Sequence, residues 1–267
     1  MFKYQILVEY AGTNFRGWQI QKKGKTIQGL IQEKLTKLLK EKIILNGSGR
    51  TDTGVHAIGQ SAHFDCENKI SNFDRFLKSI NYFLNDEGVA ITKIKKRNNK
   101  FHSRFSAKQR IYKYIIFNQI SLPVIEKKRG WHVRKSLDLK LMKKGTKKLL
   151  GTNDYSTFRA SSCHAKSPIR TIKSIKIKSL NGKIEIEFKS QSFLQQQVRS
   201  MVGCLKYLGE KKWDLKNFNK VFKSKKRFNY SRTYSRETYK TLKRKNNFKW
   251  FWQNRHGCSC NSTICTL

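Results

Sequence analysis

The chain has 267 residues, of which 58 are Lys or Arg and 17 are Asp or Glu, so its formal net charge is +41. This length is sufficient for one large or two ordinary domains with a buried core, and 12% aromatic residues with only two prolines exclude disorder throughout. The charge predicts an anionic partner, first of all nucleic acid, although a bias toward Lys in the coding sequence would account for part of it.

Neither a membrane span nor an export signal is predicted. There is no long apolar run, and the first ten residues alternate like a strand instead of placing a charged segment before an apolar one. The six cysteines include no CxxC pair, which is typical of reduced thiols. We therefore expect a cytoplasmic protein that makes no membrane contact.

The first half of the chain predicts the element order β-α-β-β-α-β. Alternating apolar residues indicate a strand from Phe2 to Tyr10, and apolar residues at helical spacing indicate a helix over 26–39 with Thr26 as its N-cap. By the same criteria, further strands are expected at 42–45, 58–64 and 89–95, and a helix at 72–84.

The second half repeats this order without its last strand. Asn181-Gly182 predicts a tight hairpin turn, and the expected strands and helices cover 110–117, 137–150, 169–178, 183–189 and 193–208. The sequence thus predicts an α+β fold of two tandem ferredoxin-like units, residues 1–106 and 107–227.

Residues 228–267 differ in composition from the rest. They are rich in Tyr, Ser, Arg and Lys and then in Cys, and they show no alternation typical of a strand. A shift of reading frame would produce this pattern, because it preserves base composition but destroys hydrophobic periodicity. The alternative is a genuine basic tail whose aromatic residues stack on RNA bases.

The segment from Gly47 to His56 is the most informative stretch. Its sequence, GSGRTDTGVH, places Arg50 and Asp52 between glycines, which allow sharp backbone turns. It lacks the Gly-Lys-Ser/Thr of a P-loop, and Asp52 occupies the last glycine position of a dinucleotide-binding motif. On spacing alone, Asp52 would more often stabilise a turn than catalyse a reaction.

This segment resembles the signature loop of the tRNA pseudouridine synthase A family, Gly-x-Gly-Arg-Thr-Asp-x-Gly-Val-His. Further segments up to about Gly209 are similar to that family in the same order. They are Gly17-Trp18-Gln19, Gly59-Gln60 with His63-Phe64, the run from Phe101 to Ala107 with Arg110-x-Tyr112-x-Tyr114, the run from Asp154 to Ala160, and Phe193-Leu194 with the run from Val198 to Gly203.

The resemblance implies a pseudouridine synthase fold, in which two ferredoxin-like halves join into an extended antiparallel sheet with helices on one side. It implies isomerisation of uridine to pseudouridine at positions 38, 39 and 40 of the tRNA anticodon stem-loop. It also implies a homodimer that uses no metal and no organic cofactor.

Four residues match functional positions of the family. Asp52 would be the catalytic nucleophile, which attacks the ribose or the base or stabilises an oxocarbenium ion. Tyr112 would stack on the flipped base, although without the resemblance a core tyrosine is equally expected. Arg199 would contact the catalytic carboxylate, and Arg50 would hold the flipped nucleotide, although without the resemblance Arg50 is equally compatible with phosphate binding alone. The family often carries histidines where Gln195 and Gln196 stand here.

Other functions fit less well. A non-catalytic tRNA-binding protein of the same fold need not keep all four site residues. A zinc base deaminase would require H-x-E and P-C-x-x-C, and neither occurs. No metal site is predicted, because the spacing of His256, Cys258, Cys260 and Cys265 fits no familiar zinc site and the remaining histidines are scattered singly.

Overall fold

A computed structural model describes residues 1–126, residues 129–225 and the backbone of residues 262–266. The described residues form a mixed α+β structure. Its helices are α1 (Ile27–Leu39), α2 (Phe73–Leu84), α3 (Leu139–Lys148), α4 (Gln197–Gly209) and α5 (Leu215–Lys223). Its strands are β1 (Phe2–Tyr10), β2 (Asn46–Gly47), β3 (His56–Cys66), β4 (Val89–Arg97), β5 (Gln109–Phe117), β6 (Trp131–His132), β7 (Gly151–Asp154), β8 (Ile169–Leu180), β9 (Lys183–Ser190) and β10 (Ser262–Thr266).

The chain divides into two compact units. The first contains Met1–Ile111 together with β10, and the second begins at Tyr112, so the chain passes between them within β5. In the first unit, β1 lies between β3 and β4 and is antiparallel to both, while β2 pairs with β3. The helices α1 and α2 pack on this sheet around a core that includes Tyr4, Ile6, Ile31, Leu35, Phe64 and Ile80.

Both helices of the first unit begin where their capping residues predict. The Thr26 side chain accepts a hydrogen bond from the backbone N–H of Gly29, and the Asn72 side chain accepts one from Arg75. Each side chain satisfies a backbone donor that the first helical turn would otherwise leave unpaired. The predicted N-cap at Thr26 is confirmed.

The strand expected at residues 42–45 is absent, which corrects the prediction. Ile43 and Leu45 are buried and Ile44 is exposed, so the alternation itself is correct. However, side chains of α1 take up the backbone groups: Thr36 accepts from the N–H of Ile43, and Gln32 accepts from that of Leu45. These groups are therefore unavailable for a strand, and pairing starts only at Asn46.

The second unit contains the strand order β5-β9-β8-β7, with β6 parallel to β5. The β8–β9 hairpin closes at Leu180↔Lys183, and Asn181 and Gly182 both have positive φ angles, of 47° and 73°. Both angles are those that a two-residue hairpin turn of type I′ requires. The Asn181-Gly182 turn is thus confirmed, whereas β6, β7 and α5 were not predicted.

Two helices of the second unit are shorter than expected. α3 begins after Asp138, whose side chain caps the N–H of Leu141, and ends at Lys148. α4 begins at Gln197 and not at Phe193, because Gln196 adopts a left-handed conformation with φ of 59° that helical backbone excludes. Val198, Met201, Val202, Leu205 and Leu208 form a buried apolar stripe on α4.

Only the backbone of β10 is described within the segment 228–267. The shift of reading frame proposed for this segment therefore concerns mainly residues outside the described part of the chain and stays a prediction. No strand was expected there, yet β10 pairs antiparallel with β3, with Ile264 opposite Gly59. The residues of β10 include two threonines and an isoleucine, which favour strands. Among the described residues, no helix has both the length and the apolar character needed to cross a membrane.

Candidate active site

The signature loop, residues 47–56, connects β2 to β3 in the first unit. Ser48 and Thr51 are buried, Arg50 is exposed and Asp52 is half-buried. The backbone carbonyl of Asp52 accepts a hydrogen bond from the N–H of Val55, which closes a tight turn behind the carboxylate. The loop therefore fixes its own backbone while leaving both charged side chains partly accessible to a ligand.

The segment before α1 holds the second half of this loop. The N–H of Trp18 donates to the carbonyl of Thr51 at 3.1 Å, and the Tyr10 hydroxyl lies 2.9 Å from the Thr51 hydroxyl. Gly17 has a φ of +83°, and a Cβ at this position would lie 2.4 Å from the Thr51 carbonyl oxygen. Only glycine combines this backbone conformation with so close an approach. Residues adjacent to Asp52 are thus fixed by a buried scaffold.

Two polar side chains hold the first half of the loop. Gln60 on β3 donates to the carbonyl of Gly49 at 2.6 Å, and Arg110 on β5 donates to the carbonyl of Ser48 at 2.7 Å. A guanidinium that binds a carbonyl forms a charge-assisted hydrogen bond, which is stronger than a neutral one. These contacts anchor the backbone directly before Arg50.

A buried cluster supports β2, from which the loop starts. The Ser103 hydroxyl donates to the carbonyl of Asn46 at 2.8 Å and lies 2.9 Å from Nδ1 of His63. Burial, together with repulsion from Lys3 and from His102 when it is protonated, lowers the pKa of His63 to about 4. His63 is consequently neutral near neutral pH. The rings of His63 and His102 lie 4.7 Å apart, so these two histidines are not scattered singly as expected.

Tyr112 and Arg199 belong to the second unit, whereas Asp52 and Arg50 belong to the first. Tyr112 is half-buried and precedes the buried part of β5, residues 114–117, and its ring contacts Phe193 edge-on at 5.0 Å between centroids. Its strand neighbours Tyr114 and Ile116 are buried. Tyr112 therefore keeps part of its ring accessible.

Arg199 lies in the first turn of α4 and is half-buried. The turn before this helix is held by two hydrogen bonds: the N–H of Ala160 donates to the carbonyl of Gln195, and Gln197 caps the N–H of Leu194. The family-like segments 154–160 and 193–203 thus meet here. Gln195 and Gln196 are exposed, so neither forms part of the core.

Cys66 is a buried thiol, and the described residues hold no cluster of metal-ligating side chains. Burial raises the pKa of the Cys66 thiol to about 11, so it remains protonated and unreactive. No group of three or more His, Cys, Asp or Glu side chains among the described residues is arranged to hold a metal ion. His256, Cys258 and Cys260 lie outside the described residues, and only the backbone of Cys265 is described.

The sequence did not assign roles to the residues that support the loop. Gln60, Ser103 and Arg110 occur in the family-like segments, and Tyr10 ends β1. Each contacts the loop, or Asn46 directly before it, through a backbone carbonyl or a hydroxyl distant in sequence. One sequence signal could have indicated them. A polar residue such as Gln60 at a strand position that is otherwise apolar is expected to be buried and to have a hydrogen-bond partner.

Comparisons with known proteins identify the family of this chain. Residues 6–106 and 146–243 match a family model described as tRNA pseudouridine synthase, so the match continues beyond Gly209, where we expected the resemblance to end. The tRNA pseudouridine synthase A of Pelagibacter ubique strain HTCC1062 is 71% identical over 227 residues, which are 85% of this chain and 92% of that protein. The tRNA pseudouridine synthase A of Paramagnetospirillum magneticum strain AMB-1 is 40% identical over 227 residues, covering 85% of this chain and 88% of that protein. The chain therefore belongs to the tRNA pseudouridine synthase family.

Proposed function

We propose that this chain isomerises uridine to pseudouridine at positions 38, 39 and 40 of the tRNA anticodon stem-loop, with Asp52 as the nucleophile. The observation that carries the proposal is the signature loop, whose backbone is fixed by Trp18, Gln60 and Arg110 while Asp52 remains partly accessible. Such a fixed carboxylate does not need to be ordered when substrate binds, which lowers the barrier to reaction.

The reaction is an isomerisation that needs no oxidant, reductant or second substrate. The C1′–N1 bond breaks, the uracil rotates within the site, and C1′ joins C5, which then loses its proton while N1 gains one. The Asp52 carboxylate would attack the ribose or the base covalently, or stabilise the oxocarbenium ion that forms as the glycosidic bond breaks. The Asp52 carboxylate is regenerated when the product forms.

The other site residues act on the displaced nucleotide. A uridine in a stem must leave the base stack before its C1′ and C5 can react. We propose that Arg50, which is exposed on the same loop, holds the flipped nucleotide. Tyr112 would stack on the base with its accessible ring and relay the C5 proton, and Arg199 would be the electrostatic partner of the catalytic carboxylate.

The wider organisation is proposed on the same basis. The order β-α-β-β-α-β of the first unit and the order of β5, α3, β8, β9 and α4 in the second support two tandem ferredoxin-like units. The resemblance supports a cytoplasmic homodimer that uses no metal or organic cofactor.

Incubation of the purified protein with an unmodified tRNA transcript tests the proposal. Chemical labelling of pseudouridine, followed by primer extension, maps the product to single nucleotides. Pseudouridine confined to positions 38, 39 and 40 is expected. Tight binding of tRNA without conversion would instead indicate a non-catalytic tRNA-binding protein, and conversion at other positions would refute the assigned target.

A further inference from the structure

The turn formed by residues 102–106 exposes a large aromatic side chain beside the signature loop. Phe105 is 76% exposed, although burying a phenylalanine ring would stabilise the fold. Tyr82 on α2 is similarly exposed, at 80%, but it contacts the ring of Phe83 and none of its described contacts reaches the loop. Tyr82 is therefore an equally exposed aromatic residue without a described contact to the loop.

The turn that carries Phe105 is held by its own hydrogen bonds. The N–H of Ser106 donates to the carbonyl of His102 at 2.8 Å, and the Ser106 hydroxyl accepts from the N–H of His102 at 3.1 Å. The N–H of Arg104 donates to Nδ1 of His102, which requires this nitrogen to be unprotonated. Burial lowers the pKa of His102 in agreement with a neutral ring. Phe105 is thus presented by a pre-organised turn.

Two neighbours fix the orientation of the Phe105 ring. The His102 ring is tilted by 41° to the Phe105 ring, with 4.5 Å between the centroids, and the Arg104 guanidinium lies over the Phe105 ring, 5.6 Å from its centroid. An aromatic face next to a guanidinium suits a nucleic-acid base, which stacks on the ring while the cation attracts the adjacent phosphate.

The turn is also tied to the loop that carries Asp52. Ser103 binds the carbonyl of Asn46, and Arg110 donates both to the carbonyl of Ser48 at 2.7 Å and to that of Arg104 at 3.3 Å. Arg110 therefore connects the two segments through one guanidinium. Any base that stacks on Phe105 is held at a fixed position relative to the signature loop.

The charge of this region suits an anionic ligand such as RNA. Residues 97–110 contain five Lys or Arg and no Asp or Glu, and Lys100, Arg104 and Lys108 are exposed. Such a segment attracts phosphate groups and repels basic protein surfaces.

We propose that Phe105 and Arg104 form a second RNA contact, in which the Phe105 ring stacks on an unpaired base and Arg104 binds a phosphate of the same strand. The inference deepens the proposed function, since tRNA as the ligand comes from it. An unpaired base is required because bases within a duplex have no free face. The contact would hold nucleotides of the anticodon loop while a neighbouring uridine reacts.

Filter binding of an unmodified tRNA transcript tests this contact. Phe105→Ala should weaken binding by roughly fivefold to a hundredfold, as expected for the loss of one stacked base, and Phe105→Leu should do the same because it lacks an aromatic face. Phe105→Trp should retain affinity, and Tyr82→Ala should leave it unchanged. The slope of log affinity against log salt should stay constant for Phe105→Ala but fall by about one for Arg104→Gln.

Equal affinities of wild type, Phe105→Ala and Phe105→Leu would overturn the proposal, as would an equal loss for Tyr82→Ala. Since Phe105 is exposed, the thermal midpoints of unfolding of these variants should match that of the wild type. A loss of affinity that occurs only in variants with a lowered midpoint would also contradict the assignment. If the wild type binds tRNA but forms no pseudouridine, the proposed function fails while the Phe105 result stands. If pseudouridine forms and Phe105→Ala binds normally, only this inference fails.

Discussion

The Arg110 guanidinium donates a hydrogen bond of 2.7 Å to the backbone carbonyl of Ser48, four residues before Asp52. A side chain on β5 thereby fixes the start of the loop that carries the proposed nucleophile. Because this bond acts on backbone and not on substrate, Arg110 is a positioning residue, and its loss should affect the chemical step more than tRNA affinity.

Replacement of Arg110 by Gln should lower kcat by about tenfold or more, since small displacements of a reacting group cost large factors in rate. The KM for tRNA should rise no more than in Lys108→Gln, which removes the same charge from an exposed neighbouring position. Steady-state kinetics of both variants provides the measurement. An equal kcat for Arg110→Gln and Lys108→Gln would contradict the positioning role.

Gly17→Ala should reduce both stability and activity. An alanine at a φ of +83° costs on the order of 1 kcal/mol, and its Cβ would push against the Thr51 carbonyl at 2.4 Å. Gly59→Ala is the matched control, because no heavy atom lies within 4 Å of a Cβ there. Urea unfolding and pseudouridine formation should both be impaired in the first variant and nearly normal in the second. Equal behaviour of the two variants would show that the loop tolerates displacement.

Acid should destabilise the protein through His63. Its folded pKa of about 4 lies below the ordinary value of 6.5, so the unfolded chain binds the proton first as the pH falls. The contribution of neutral His63 to the free energy of unfolding is thus fully present above about pH 6.5. It is lost as the pH falls toward 4, and the loss is on the order of 3 kcal/mol. Urea unfolding at pH 7.5, 6 and 5 should show this loss, and His63→Asn should reduce its slope. An unchanged slope in His63→Asn would assign the acid sensitivity to other groups.

Affinity for tRNA should fall steeply with salt. If six or more phosphates are neutralised, binding weakens by about a thousandfold between 50 and 200 mM salt. A nearly flat dependence would mean that most of the +41 charge reflects coding bias and not RNA binding.

EDTA should leave the rate of pseudouridine formation unchanged, because no proposed step uses a metal. Loss in EDTA with recovery in zinc would contradict the metal-free mechanism.

Periodicity predicted the elements whose backbone groups pair in the regular way. Phe2 to Tyr10 alternates and forms β1, and Thr26 caps α1, because local pattern and tertiary contacts agree at both places. The prediction failed at residues 42–45, where Thr36 and Gln32 of α1 satisfy the backbone groups that a strand would have used. Side-chain hydrogen bonds from distant residues leave no periodic signal in the sequence.

The roles of Asp52, Arg50, Tyr112 and Arg199 stay predictions, and no sequence pattern indicated the contacts that support the signature loop. The order of the motifs indicated Asp52 and Arg50 on one loop, and the structure places both there. Nothing in the spacing indicated that Arg110 would reach back 62 residues to Ser48, or that Ser103 would bind Asn46. Such contacts depend on how β5 and the turn before it lie against the loop, and they become visible only in three dimensions.

Asp52→Asn and Asp52→Ala test directly whether Asp52 is the nucleophile. Single-turnover formation of pseudouridine should fall below about a hundredth of the wild-type rate in both variants, because losing covalent or charge stabilisation costs several kcal/mol. Affinity for tRNA, measured by filter binding on the same preparations, should change little because phosphate contacts supply most of it. Turnover by either variant above about a hundredth of the wild-type rate would remove Asp52 from the role of nucleophile.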